Sequence, residues 1–375
     1  MDAFFASVEL LHHPEWRGKP LIVGAGPHER GVVSTCSYEA RKFGVRSAMP
    51  SRTAYALCPH AIFVPPHIGL YEEVSNMAFE VFEHYSPYVE RVSVDEAFLD
   101  ITGTIHLHGG ARELGEALRR EIHGTCGVTC SVGIAANRLM AKIGSELHKP
   151  NGLSVMPFEP SDVAAFLAPR PIGILWGIGK STEELLKPYG IALCGDLQRL
   201  PRAQLATILG SGHMADALHA HALGISDDTV HWEPEDEKSV SREFTFDTDI
   251  SDKRQIRATL LELVKEVGRR FRTVPRWART ARLKLRDAAF NTITRQTPFD
   301  APARDDFAFR AKALELFDRE TTGALRLIGF GVTNIQTTPD GQAPSLFPDP
   351  AGSRRERNER LSETLDRLRT PGMPV

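Results

Sequence analysis

No apolar run in this chain approaches the ~18 to 20 residues that cross a bilayer as a helix. The opening stretch MDAFFASVELLHHPEW also lacks the basic start and the small-residue cleavage site of a secretory leader. Neither a membrane nor an export route is indicated, and the expectation is a cytoplasmic protein. Cysteine is scarce as well. Cys36, Cys58, Cys126, Cys130 and Cys194 are odd in number and never spaced C-x-x-C, so neither a disulfide framework nor a zinc site is indicated, and all five read as small core residues. The chain has no internal repeat.

What it does have is 375 residues of ordinary globular composition, 42% hydrophobic and 25% charged, enough for roughly two to four domains. A net charge of -3 argues superficially against nucleic acid. Binding, however, depends on where charge sits rather than on its sum. From Lys253 to Arg286 there are twelve Lys or Arg residues against two acids, Glu262 and Glu266, whereas the first hundred residues carry more acids than bases. That split suits an acidic, metal-holding face in one domain and a phosphate-facing surface in another.

Up to about residue 160 strand-like and helix-like segments alternate, as in PLIVGA, GVVSTCS, EEVSNMAFEVFEHY, GVTCSVGIAA and NRLMAKIGSELHK, which gives an α/β or α+β reading. In the third of these, Val74, Met77, Val81 and Tyr85 recur at helical spacing and predict one buried face. From about 161 to 229 the chain turns helical with breaks at Pro and Gly. Residues 230–238 are acidic, contain Pro234 and suit an exposed linker. Beyond it, SVSREFTF, RATLLELVKEVGRRF, ARTARLKLRDAAF and NTITRQTPF predict a sheet with helices on one side.

Four stretches carry chemistry. RVSVDEAFLDITGT sets Asp95 and Glu96 at the bend between two short strands rich in β-branched and aromatic residues. Tight hairpin turns favour Gly or Asn, so this pair is not what the turn asks for. A solvated surface turn is the commoner meaning of such a pair taken alone. In STCSYEARKFGVRSAMP, Tyr38 and Arg41 lie three apart on one face of a helical turn, a geometry that suits a triphosphate or, equally, a solvated basic helix end. Gly177-Ile178-Gly179-Lys180 sits between helical segments like the hairpin of a helix-hairpin-helix element, which meets DNA phosphates without regard to sequence. Finally, Ala281, Leu283 and Leu285 alternate with Arg282, Lys284 and Arg286, one face core and the other a row of cations. Arg269, Arg270, Arg272, Arg276 and Arg279 lead into that strand and favour contact with a nucleic-acid backbone over a solvated face.

Taken together, MDAFFASVE, STCSYEARKFGVRSAMP, SVDEAFLD, SVGIAANRLMAKIGSELHKPNG, WGIGKST and LIGFGVTNI stand in the order and at about the spacing found in the Y-family translesion DNA polymerases. The resemblance is strongest to the bacterial members and covers residues 1 to about 347. It implies a multidomain α+β fold, a right-hand polymerase with a C-terminal α/β little finger. Palm and fingers would occupy 1–160 (fingers about 11–70), a helical thumb 161–229, a linker 230–240, the little finger 241–337 and a tail 338–375.

The resemblance implies low-fidelity nucleotidyl transfer past damaged template bases, with two Mg²⁺ ions held by Asp95 and Glu96. Thr35, Tyr38, Arg41 and Lys149 would bind the triphosphate, and Phe5 would be the steric gate that excludes a ribose 2′-hydroxyl. No exonuclease cluster of acids is seen, so proofreading is not expected. Gly177, Gly179, Lys180, Arg282, Lys284 and Arg286 would contact the duplex. QAPSLF resembles the bacterial clamp-binding peptide, with Gln342 setting register and Leu346 and Phe347 as apolar anchors. Implied partners are primer-template DNA, deoxynucleoside triphosphates and a sliding clamp, with the polymerase itself a monomer. Beyond the peptide, SRRERNERLSETLDRLR places Leu361, Leu365 and Leu368 on one face of a weak or partner-dependent helix with solvated charges.

The family motif also has an aspartate that would fall immediately before Met1, carried by a strand. The expectation is that an upstream start supplies both, because the downstream motifs are retained. Asp2 is a poor substitute, since one residue onward along a strand points to the opposite face. The alternative is a non-catalytic relative that binds DNA and the clamp as a repair accessory.

Overall fold

The structure, a computed structural model, describes residues 1–233, 236–320, 323–337 and 350–368. It divides into two compact units, Met1–Pro234 and Glu235–Val375. The first unit begins with α1 (Phe4–His12), entered through Ala3 in the left-handed region at φ 43°. Strands β1 (Leu21–Gly24), β2 (Val33–Cys36) and, after helices α2 (Tyr38–Arg41) and α3 (Ser51–Leu57), β3 (Ile62–Val64) form a sheet of order β2-β1-β3. The side chains of Ile22, Val33, Cys36, Ala40, Ala54 and Cys58 close a small core against it.

Helix α4 (Ile68–Glu83) packs on α5 (Ala111–Cys126). Its buried face comprises Tyr71, Val74, Ser75, Ala78, Phe79, Val81 and Phe82, continued by Tyr85 just past its end. Met77, expected on that face, is exposed instead. A stripe repeating every 3.6 residues through Val74, Ala78 and Val81 leaves position 77 at its edge.

Strands β4 (Val89–Arg91) and β5 (Ala97–Leu99) form the expected antiparallel hairpin, with Glu90 opposite Phe98 and Arg91 opposite Ala97. Strand β6 (Val132–Ile134), helix α6 (Arg138–Leu147) and strand β7 (Leu153–Val155) build a second pair, here parallel, with α6 as the crossover. Gly133 lets α6 approach, because a Cβ there would stand 2.0 Å from the Ala141 carbonyl oxygen. Asn137 starts α6 by accepting the Met140 N–H at 3.0 Å.

Five further helices follow: α7 (Pro160–Leu167), α8 (Lys180–Leu186), α9 (Cys194–Arg199), α10 (Arg202–Leu209) and α11 (Gly212–Ala222). Their core takes in Leu139, Met140 and Ile143 of α6, which ties this helical part to the sheet-bearing part. All five cysteines are buried and free.

In the second unit β8 (Ser239–Ile250), β9 (Trp277–Asp287), β10 (Thr292–Ala303) and β11 (Leu325–Gln336) form one antiparallel sheet of order β10-β9-β11-β8. Helices α12 (Lys253–Phe271) and α13 (Asp306–Asp318) pack on it around Leu260, Val264, Phe271, Phe309 and Phe330. Asp252 and Asp305 cap their N-termini.

Two charge expectations are corrected here. Arg272 and Arg276 do not belong to a phosphate-facing array, because both are buried. Arg272 binds Asp306 at 2.6 Å and Asp366 at 2.7 Å, and Arg276 binds Glu237 and donates to the Phe271 carbonyl. The C-terminal helix α14 (Pro350–Leu368) does not leave all of its charges solvated, although Arg354, Glu356, Arg357, Arg360 and Arg367 are exposed as expected. It docks through its polar side, with Ser362 buried and Asp366 on Arg272, while Leu361, Leu365 and Leu368 stay exposed. A buried guanidinium needs a paired carboxylate more than three leucines on two turns of helix need cover.

Candidate active site

The β4–β5 turn is built around its acids. Val92 and Ser93 donate their N–H groups to the Glu96 carbonyl, and the Ser93 hydroxyl donates to Asp95 Oδ1 at 2.9 Å. The Met1 ammonium donates to the Asp95 carbonyl at 2.5 Å. Both side chains are half-buried at the mouth of a cavity of about 180 Å³ that Lys142 and Lys149 also line.

Helix α6 grips this hairpin at two points one turn apart. Arg138 pairs with Glu90 at the foot, and Lys142 pairs with Glu96 at the turn. The Arg138 guanidinium also lies 4.7 Å from the centroid of the Phe98 ring. Glu90 uses its second oxygen to accept the His231 N–H at 2.9 Å.

Glu146, one turn beyond Lys142, bridges it at 3.5 Å to Lys149 at 2.6 Å. Burial alone would push the Glu146 carboxyl up, but Lys149 and then Lys142 hold it below the usual carboxylate value. Burial likewise works against the Lys142 ammonium, and Glu96 followed by Glu146 outweighs it, so the group stays cationic.

Tyr38 and Arg41 share the one turn of α2, which Ser37 caps through the Ala40 N–H, and the Arg41 guanidinium stands 4.6 Å from the Tyr38 ring centroid. The Tyr38 hydroxyl is buried without a hydrogen-bond partner among the described residues. Burial, then the nearby Asp2 carboxylate, pushes it up to about 12, with Arg41 opposing and Glu146 adding to the rise. It is therefore a protonated donor throughout the neutral range. Thr35 is half-buried in β2, three residues before it.

Asp2 is buried and fully engaged. Its carboxylate accepts from Thr129 at 2.9 Å, Ser131 at 2.8 Å and the Asn151 N–H at 2.8 Å. Phe5, on α1, stacks on Tyr71 with ring centroids 4.2 Å apart.

The structure thus brings Asp95, Glu96 and Lys149 to one cavity and sets Tyr38 within the field of the same Glu146 that holds Lys149. Sequence reading missed Lys142 and Glu146. Their signal was there, an acid four residues after Lys142 on one helix and three before Lys149, just past its end.

The donor set suits a hard divalent cation. Among the described residues no third His, Cys, Asp or Glu converges on the pair. A Mg²⁺-like ion is typically held by one or two carboxylates together with waters and substrate phosphates, rather than by an all-protein cage.

Elsewhere in the first unit, Gly177 takes φ 88° and Gly179 caps α8, with both glycines and Lys180 exposed and Ile178 turned into the core. In the second unit the alternation along β9 is as expected, with Ala281, Leu283 and Leu285 buried. The cations opposite differ among themselves. Lys284 binds Glu243 at 2.8 Å and Arg286 donates to Thr292 at 2.8 Å, whereas Arg282 has no ion-pair partner among the described residues. Gln342, Leu346 and Phe347 lie outside the described residues.

Comparison with known proteins places these features in a family. A profile of the impB/mucB/samB family matches residues 1–146, its C-terminal domain profile matches 237–345, and a profile of the family's HHH motif matches 160–191. A DNA polymerase IV of Desulfatibacillum aliphaticivorans is 40% identical over 368 residues, spanning 98% of this chain and 91% of that one. A DNA polymerase IV of Listeria monocytogenes serotype 4b (strain F2365) is 39% identical over 338 residues, 90% of this chain and 94% of that one. Among solved structures, a Y-family DNA polymerase chimera of Dbh and Dpo4 superposes with a TM-score of 0.77 at 28% identity, covering 90% of this chain and 98% of that one. An insertion ternary complex of Dbh DNA polymerase gives 0.61 at 28% identity, with the same coverage.

Proposed function

Since this chain belongs to the Y family of DNA polymerases, we propose that its template-directed synthesis is of the translesion type, with low fidelity and no proofreading. The observation that carries this reading is the Asp95–Glu96 pair, presented on a hairpin turn at a cavity that Lys142 and Lys149 also line. Asp95 and Glu96 would hold two Mg²⁺ ions. Ions bound there would supply positive charge against the α-phosphate and lower the pKa of the primer 3′-hydroxyl.

The chain's own groups bind and orient. The Tyr38 hydroxyl, the Thr35 hydroxyl, Arg41 and Lys149 offer donors and cations to the phosphates. Lys142 keeps Glu96 in place, and Phe5 lies under the sugar. Gly177, Gly179 and Lys180 of the thumb, and Arg282, Lys284 and Arg286 of the little finger, take the duplex backbone. Gln342, Leu346 and Phe347 bind a sliding clamp. In this reading palm and fingers occupy 1–160, the thumb 161–229 and the little finger 241–337, and the enzyme works as a monomer in the cytoplasm.

Primer extension with Asp95→Ala and with Glu96→Ala tests the assignment. Each variant should lose Mg²⁺-dependent extension and keep most of its affinity for primer-template, because these acids meet metal and not DNA. Extension at the wild-type rate by either variant would sink it.

A further inference from the structure

Helix α1 meets Tyr71 twice. Phe5 lies flat on the Tyr71 ring, with 15° between the planes. One turn later on the same helix, Glu9 Oε1 accepts the Tyr71 hydroxyl. The same oxygen is 2.8 Å from His67 Nδ1, at the N-cap of α4. Glu9 and Tyr71 are each only 1% exposed. A buried carboxylate is costly unless its partners are fixed, and an apolar residue packed against α4 would avoid that cost. Its presence therefore asks for a reason beyond packing. The geometry supplies one: with its hydroxyl held at one end, the Tyr71 ring cannot slide or tilt beneath Phe5. Hydrogen bonding to Glu9 adds to burial in keeping that hydroxyl protonated, hence a permanent donor.

We propose that Glu9 and Tyr71 form a rigid backing for the Phe5 ring, which makes Glu9 a positioning residue for sugar selection although it touches no reacting atom. The inference rests on the reading of Phe5 as the gate. A gate discriminates only as well as it resists displacement. A 2′-hydroxyl pressing on Phe5 is turned away if the ring cannot recede, and Tyr71 is what it would recede into. Removing the Glu9 tether lets Tyr71 yield, and the ribonucleotide enters.

The experiment measures kcat/KM for dATP and for ATP opposite template T in the full-length chain, for Phe5→Ala, Glu9→Ala, Glu9→Gln, Tyr71→Phe and the double variant Phe5→Ala/Glu9→Ala. Glu9→Ala and Tyr71→Phe should each lower discrimination roughly tenfold, the worth of one hydrogen bond. They should do so through a gain on ATP, with dATP held within about threefold. Glu9→Gln keeps an acceptor oxygen and should retain most of the discrimination. In the Phe5→Ala background Glu9→Ala should change the ratio no further, because both act through one ring. Tyr71→Phe keeps the aromatic volume and decides the matter if Glu9→Ala does not fold. Equal loss on both nucleotides would reduce Glu9 to a structural role and overturn the proposal. If Phe5→Ala itself leaves the ratio unchanged, the gate reading is what fails.

Discussion

Lys142 on α6 donates to Glu96 on the β4–β5 turn, an ion pair between residues 46 apart in sequence that fixes the orientation of one half of the acidic pair. Arg138, one turn earlier, fixes the foot of the same hairpin through Glu90, so α6 acts as a splint along it. Lys142→Met should therefore lower kcat/KM for nucleotide insertion by roughly ten- to a hundredfold, the equivalent of about 1.5 to 3 kcal/mol for a hydrogen bond to a charged group. Single-nucleotide insertion kinetics would show it. An unchanged rate would mean that the pair serves only the fold.

The bridge through Glu146 gives a pH signature. Its carboxyl is held below the ordinary value of 4.5 in the folded chain, so its contribution to stability is present above that value and is lost as pH falls through the depressed one. Wild type should melt above Glu146→Gln at pH 7, and the gap should close as the solution is taken below that range. Melting curves of the two chains across pH would settle the sign. A gap that persists in acid would show that Glu146 contributes through packing instead.

How far such features could be read from sequence follows from their range. The acid-bearing hairpin was legible because β-branched runs flank it, and α4, α6 and α12 were legible because their apolar residues recur at the helical period. The alternation along β9 separated core from cations correctly for the same reason. The fate of Arg272 and Arg276 was not legible. Their partners lie 34, 94 and 39 residues away at Asp306, Asp366 and Glu237, and nothing local distinguishes a buried arginine from a solvated one. The same distance hid the docking of α14, which runs through Asp366 and leaves the leucine stripe exposed.

That docking is itself testable. Asp366 accepts two hydrogen bonds from Arg272, at 2.7 and 3.1 Å. Among the described residues, removing it leaves the buried guanidinium with Asp306 and the Arg304 carbonyl. Asp366→Ala should destabilise the second unit by roughly 2 kcal/mol, less than the loss of a fully buried pair because one carboxylate remains. Leu365→Ala on the exposed side should cost little. Chemical denaturation of the two variants compares them directly, and equal costs would mean that the leucines, not the charges, hold the helix.

The cations of β9 are unequal, which should separate them in a test of DNA binding. Lys284 is already bonded to both oxygens of Glu243 and must give up that partner to meet a phosphate, whereas Arg282 has no such pair among the described residues. Arg282→Ala should therefore weaken binding to naked primer-template more than Lys284→Ala, and equally for every sequence, since phosphates carry no sequence information. For each phosphate deprived of its cation, the dependence of log K on log salt should flatten by about 0.9. Glu243→Gln should have the opposite effect. It releases Lys284 and removes an anion from the same face, so affinity should rise most at low salt, where screening is weakest. Titrations by fluorescence anisotropy at several salt concentrations read all three variants. If Arg282→Ala left both affinity and slope untouched, the row along β9 would be a solvated charged face and the duplex would lie on another surface.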